Sequence, residues 1–385
     1  MLYDADVSSY LLKLLRSALN GITPEEKPAN VKWEQLFNMA KKHGVSALCL
    51  YSIRKLNYRP DDELYRKWEN KNAMLLTKCI NQEHEFAAIT ECFEKHKLPF
   101  MPLKGSVIRD LFPLSYLREM GDLDILVPAD RINEACDLVQ PMNYKKLSTV
   151  AHHVELEKPP YMRIELHTGL IAPTYEYYAY YKDPWAKAFV QKNLYYYGMK
   201  NEDVYLYLLT HSAKHYYYSG TGIRSVIDVY LFNRAYRSSM DVAYIEQELK
   251  KLNLTDFAYQ MECLAEHWFS DSGSANSNDV KEMETYILSS ATYGTSSNRD
   301  ANIIRRYMRN GKGEKRAKAA MYLHMAFLPC DEMQLMFPML KKAPVLLPFC
   351  WIARWFRIIF TKPKSITNSY KKVQDIQLYH DEDDS

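Results

Sequence analysis

Glycine is scarce in this chain, with 12 among 385 residues. So few leave little room for the tight turns that closely spaced strands demand, and they predict a largely helical protein. The 7 cysteines (Cys49, Cys79, Cys92, Cys136, Cys263, Cys330 and Cys350) are odd in number, scattered, and never spaced Cys-x-x-Cys. That spacing indicates neither a disulfide framework nor a cysteine-held zinc site. Charge of one sign is missing too: 50 Lys and Arg face 47 Asp and Glu, a net +3. A nucleic-acid binder shows a concentrated basic excess, so nucleic acid is not indicated as a partner. The first residues, Met1-Leu2-Tyr3-Asp4-Ala5-Asp6, lack a basic region and an uninterrupted apolar stretch. No signal peptide is expected there, and a reducing cytoplasm is the expected location.

What the chain does have is tyrosine, 31 residues of it, clustered at 175–181, 195–197 and 216–218. Hydroxyl-tipped aromatics suit stacking on sugars or bases as well as half-exposed packing. The first cluster is the candidate for a substrate wall. Residues 1–97 carry helical periodicity, including a long segment from about 62 to 95 that Asp61-Asp62 would start after Pro60. Residues 98–183 alternate strands with helices: strands at 100–103, 122–127, 143–148, 151–157 and 161–167, a helix at 106–111, and another that Asp130 would cap. Residues 184–340 are helical again, clearest at 204–217 and 223–237. Residues 341–385 form an apolar, basic segment and an acidic tail. The expected class is α+β, mostly helical, with a small mixed sheet flanked by helical regions.

The informative motif is Asp122-Leu123-Asp124-Ile125-Leu126-Val127. Residues two apart on a strand share a face, so Asp122 and Asp124 point one way while Leu123, Ile125 and Val127 enter the core. Two carboxylates this close repel unless a cation lies between them, and hard oxygen ligands of this kind are what Mg²⁺ requires. Asp-x-Asp alone is weak, since Asp4-Ala5-Asp6 and Asp381-Glu382-Asp383 also occur. Only the central pair is flanked by β-formers. It is preceded by Leu103-Lys104-Gly105-Ser106 after a short apolar run, and followed by Arg163-Ile164-Glu165-Leu166-His167.

In that order these parts resemble the nucleotidyltransferase superfamily typified by DNA polymerase β and kanamycin nucleotidyltransferase. Lys104-Gly105, Arg118 and Ile164-Glu165-Leu166-His167 look more narrowly like a bacterial nucleotidyltransferase family whose acceptors are mostly unsettled. The resemblance covers roughly residues 98–230. It implies two Mg²⁺ ions held by Asp122, Asp124 and Glu165, with Glu155 and Glu157 as competitors for the third place. It implies a triphosphate held at the Gly105-Ser106 turn by amides at a helix start and the Ser106 hydroxyl, with Lys104 and Arg118 countering charge. A helical wall bearing His211, Lys214, His215, Arg224 and Asp228 would face the sheet, Lys214 or Arg224 reaching phosphate. An Arg224–Asp228 pair at i,i+4 is the structural alternative for that helix. His211 and His215 without an intervening Glu do not make a zinc-protease motif. His152, His153 and His167 read as structural, although His167 shares the Glu165 face and could touch metal or acceptor.

The function implied is Mg²⁺-dependent transfer of NMP from an NTP, ATP first, to a hydroxyl-bearing acceptor. A kinase on the same fold and a non-catalytic nucleotide-binding protein are the alternatives. The segment 345–360 contains Pro348, Arg354 and Arg357 and falls short of the about 20 apolar residues that span a bilayer. Its tryptophans beside arginines fit peripheral membrane contact, and they fit packing on the protein itself, which is the expectation preferred.

Overall fold

The computed structural model describes residues 4–150, 152–270, 278–290 and 326–361, together with positions 316, 319, 322 and 323. The acidic tail at 380–385, most of the polar loop at 270–279, and Lys362 and Lys364 lie outside the described residues. Two compact units divide the chain: residues 1–214 with 221–292, and residues 215–220 with 293–385.

The first unit opens with four helices, α1 (Ala5–Asn20), α2 (Trp33–Lys42), α3 (Ser46–Ile53) and α4 (Asp62–Lys95). Asp4 caps α1 through the Asp6 and Val7 amides, and Gly21, at φ 71°, ends it in the left-handed region that glycine enters freely. Asp61 caps α4 in the same way through the Glu63 and Leu64 amides, so the expected start of the long helix is its observed start. The inner face of α4 buries Trp68, Ile89 and Phe93.

A mixed sheet follows, in the order β1-β2-β5-β4-β3. Its strands are β1 (Met101–Pro102), β2 (Leu123–Leu126), β3 (Lys145–Val150), β4 (His153–Lys158) and β5 (Met162–His167). Strands β2 and β5 run parallel, and every other pair is antiparallel. One-turn α5 (Gly105–Ile108) and α6 (Ile132–Val139) come between strands. Alternation sorts the sheet into two faces. Leu123, Ile125, Val127, Val154, Leu156, Ile164 and Leu166 pack one face on Ile89 and Phe93 of α4 and Ala135 and Val139 of α6. Each fully buried Leu, Ile or Val there is worth about 1.5–3 kcal/mol relative to exposure. The opposite face carries the acids, and a register slip of one residue would exchange the two faces.

Two expectations are corrected. The helix at 106–111 is a single α-turn followed by a 3₁₀ turn at Arg109–Leu111. Asp130 lies in a 3₁₀ turn, and the N-cap of α6 is Arg131, which makes no side-chain cap. A ribbon of β6 (Ala188–Val190) and β7 (Tyr197–Met199) leads to α7 (Asn201–Tyr218), α8 (Ile223–Tyr236), α9 (Val242–Leu252), α10 (Thr255–Phe269) and α11 (Asn278–Ser289). The fold is therefore α+β and mostly helical.

In the second unit, α12 (Cys330–Met336) and α13 (Leu347–Thr361) bury Met333, Leu340 and Cys350 against Phe337, Leu347 and Trp351. The Trp351 and Trp355 indoles donate to the Leu328 and Ala326 carbonyls at 2.8 and 2.9 Å. Phe349, Ile352 and Phe356, on the other side of α13, are exposed. Among the described residues no helix is long and apolar enough to cross a membrane.

Candidate active site

Parallel pairing of β2 with β5 places Asp124 opposite Glu165, and antiparallel pairing of β5 with β4 places Glu155 opposite Glu165. Two residues along, His167 faces His153 by the same ladder. Asp122 lies just ahead of β2, within hydrogen-bonding reach of Glu165. The three acids implied by the resemblance are thus brought together, with Glu155 one strand farther from Asp124. Glu155 is engaged by the Ser148 hydroxyl at 2.9 Å.

Their electrostatics differ sharply. Burial, then the Asp124 and Glu165 charges, push the Asp122 carboxyl up to about 6. Burial would raise Asp124 as well, but the Lys104 ammonium and the His167 imidazole outweigh it and hold Asp124 well below the usual carboxylate range. Lys104 Nζ donates to Asp124 Oδ1 at 2.9 Å, and His167 Nε2 lies 2.7 Å from the same oxygen and 3.1 Å from Glu165 Oε2. Burial disfavours the Lys104 ammonium, yet Asp124 carries its pKa above the ordinary value. Lys214 of α7 is lowered to about 8, by burial first and by nearby Lys104 second, and it sits 5.4 Å from the Tyr175 ring centroid. Lys78 of α4 donates to the Gly121 carbonyl at 2.7 Å and feels the Asp122 charge.

The turn at Lys104-Gly105-Ser106 is held in an unusual shape. Lys104 has φ 46° and ψ −112°, a positive-φ backbone that costs a non-glycine residue about 1–3 kcal/mol and collects at functional sites. A Cβ on Gly105 would collide with Arg118 Nη1 and press on Met120 Cε at 3.0 Å, so any larger residue must displace the Arg118 guanidinium. The Ser106 and Val107 amides are taken up by the Leu103 and Lys104 carbonyls at 3.3 and 3.0 Å. An anion cradle built from those two amides is therefore not what the turn offers. The Ser106 hydroxyl is buried and has no hydrogen-bond partner, which is unusual for a buried polar atom.

Arg118 is held away from open space. It donates from Nε and Nη2 to both carboxylate oxygens of Asp228 at 2.9 and 2.7 Å, and both side chains are nearly buried. Arg224 donates to the Glu119 carbonyl at 2.6 Å instead of pairing with Asp228. The tyrosine cluster also divides. Tyr177 and Tyr181 are buried, and Tyr181 bonds to Thr210 at 3.1 Å, whereas Tyr175 lies beside Lys214. His167 and Tyr207 complete the surroundings: burial raises the buried Tyr207 phenol to about 12, with the Asp124 and Glu165 charges adding to it and the Lys104 ammonium opposing it. The spacing Glu165-x-His167 put the histidine on the face of the acid, whereas nothing local identifies Tyr207.

The chemistry of the donor set fits hard divalent cations. Asp122, Asp124 and Glu165 crowd like charges that a cation would relieve, and oxygen donors suit Mg²⁺.

The acids on adjacent strands, beside a strained Lys-Gly-Ser turn, belong to a nucleotidyltransferase. Over residues 29–270 the chain matches the model of a family described as uncharacterised nucleotidyltransferase, and it belongs to that family. No curated protein matches the chain. Among solved structures it is similar to the solution structure of the antibiotic-resistance factor ANT(2'')-Ia, at 12% identity and a TM-score of 0.34, covering 47% of this chain and 95% of that one.

Proposed function

We propose that the protein transfers NMP from an NTP, with ATP the first to test, to a hydroxyl-bearing acceptor in the cytoplasm, releasing pyrophosphate. The register of Asp124 against Glu165, with Asp122 in reach of both charges, is the observation that supports this reading. Asp122, Asp124 and Glu165 would hold two Mg²⁺ ions. When bound, the ions supply charge neutralisation at the α-phosphate and lower the pKa of the attacking hydroxyl.

The protein groups do the rest. The Ser106 hydroxyl, with Lys104 and Lys214, meets the triphosphate oxygens. The acceptor oxygen forms its bond to the α-phosphorus while the bond to the pyrophosphate oxygen breaks, and pyrophosphate leaves with that electron pair. The hydroxyl proton passes to the Glu165 carboxylate, which His167 keeps oriented. Arg118 and Arg224 act by fixing the turn and the Glu119 segment behind it. In the same proposal residues 98–183 form the catalytic segment, with helical regions at 1–97 and 184–340 and a separate segment at 341–385.

Incubation with α-labelled NTP, Mg²⁺ and fractionated cell extract tests the proposal. Label should enter an acceptor with release of pyrophosphate, and Asp122→Asn, Asp124→Asn and Glu165→Gln should each abolish transfer. The two aspartate variants should also weaken Mg²⁺·NTP binding. Release of nucleoside diphosphate in place of pyrophosphate would identify a kinase, and activity retained in both aspartate variants would refute the assignment.

A further inference from the structure

His152, His153 and His167 gather at one end of the acid-bearing face. Their ring centroids are 4.9, 5.6 and 5.1 Å apart, and one ligand nitrogen of each lies within 4.8 Å of those of the other two. Imidazoles around a tetrahedral zinc, with Zn–N bonds of 2.0–2.1 Å, place their centroids about 5 Å apart. The Nδ1 atoms of all three are buried and lack a hydrogen-bond partner. Three such atoms in one cluster are not what hydrogen bonding within a folded core leaves behind. The opposite ring nitrogens are anchored in two cases. His153 Nε2 lies 3.4 Å from Glu155 Oε1, and His167 Nε2 contacts Asp124 and Glu165. Metal-binding histidines are held in this way: a carboxylate takes the far nitrogen, fixes the tautomer and aims the near one.

We infer that His152, His153 and His167 form a site for a borderline divalent cation of the zinc type, additional to the carboxylate site for Mg²⁺. Donor chemistry separates the two, because imidazole nitrogen favours Zn²⁺, Co²⁺ or Ni²⁺ while carboxylate oxygen favours Mg²⁺. Three protein ligands leave the fourth tetrahedral position to water. The ion would tie the turn ahead of β4 to the end of β5. His167 links the two sites, because an ion on its Nδ1 would fix the ring whose Nε2 touches Asp124 and Glu165. The cluster stands whatever group the acids transfer.

Full-length protein stripped with a chelator and titrated with Co²⁺ in excess Mg²⁺ tests this. One equivalent should bind, with the visible absorption bands of a tetrahedral centre, and Zn²⁺ should displace it. Glu155→Gln should weaken Co²⁺ binding by about 10- to 100-fold, the usual cost of losing an outer carboxylate. His152→Ala, or His152→Gln if the alanine variant unfolds, should abolish the spectrum with the unfolding transition retained. Asp122→Asn should leave it unchanged. Failure of the wild-type protein to bind Co²⁺ or Zn²⁺, competition by Mg²⁺, a normal spectrum in the His152 variant, or its loss in Asp122→Asn would each overturn the assignment.

Discussion

Replacing Asp228 with Asn should cost this protein far more than an ordinary loss of charge, because of what it leaves behind. Asp228 and Arg118 are bidentate at 2.9 and 2.7 Å, with side chains 11% and 8% exposed. Two unit charges about 4 Å apart at an effective dielectric constant near 20 attract by about 4 kcal/mol. The guanidinium cannot shed its proton, so removing the carboxylate takes the bidentate counter-charge away from a buried cation. Breaking such a pair costs about 3–5 kcal/mol, whereas replacing both partners by apolar groups of similar volume is often neutral. Urea unfolding of Asp228→Leu, Arg118→Met and the double variant Arg118→Met/Asp228→Leu, with Asp228→Asn alongside, measures this directly. The singles should each lose about 3–5 kcal/mol, and the double should lose clearly less than their sum. Gly105→Ala supplies an independent check, since its new Cβ would push on Arg118 Nη1. Its cost should shrink in the double variant, where no guanidinium remains to be displaced. Singles that lose under about 1 kcal/mol, or strict additivity, would refute the reasoning.

Three further outcomes are expected. Asp122 stands at about 6 without metal, so binding of Mg²⁺ below that pH should release a proton, and affinity should fall about tenfold for each pH unit below 6; calorimetry in buffers of different ionisation enthalpy reads this, and a pH-independent affinity from 5 to 7 would contradict it. Burial lowers His43 from 6.5 to about 4, so the folded state refuses a proton that the unfolded chain accepts. Its contribution is complete above pH 6.5 and is lost as pH falls towards 4, on the order of 3 kcal/mol at about 1.4 kcal/mol per pH unit; denaturation of wild type and His43→Gln across that window should show a flatter profile in the variant. Truncation after Pro344 removes the tryptophans that bond to Leu328 and Ala326, and should lower the thermal transition; salt-sensitive binding of the intact chain to anionic vesicles, lost on a truncation that leaves melting unchanged, would assign 345–360 to a membrane surface.

The sequence by itself determined the local elements and the faces of the sheet. Alternation of Leu123, Ile125 and Val127 against Asp122 and Asp124 fixes which side chains enter the core, because the period of a strand is two whatever it pairs with. The Asp61 cap fixes the start of α4 for an equally local reason: the side chain satisfies amides two and three residues on. The extent of α5 was less legible, since a single turn is decided by its neighbours and not by propensity. What only the tertiary structure decided is partnership across the chain. Glu165 stands beside Asp124 through strand pairing, and Glu155 stands one strand away, although a strand reading alone accommodates either. Arg118 meets Asp228 across 110 positions of sequence, where helical spacing pointed to Arg224 at i,i+4. His167 and Lys104 converge on one oxygen of Asp124 from separate segments. Such contacts arise from register and packing between distant elements, which no short-range periodicity encodes, and the chemistry of this site resides in them.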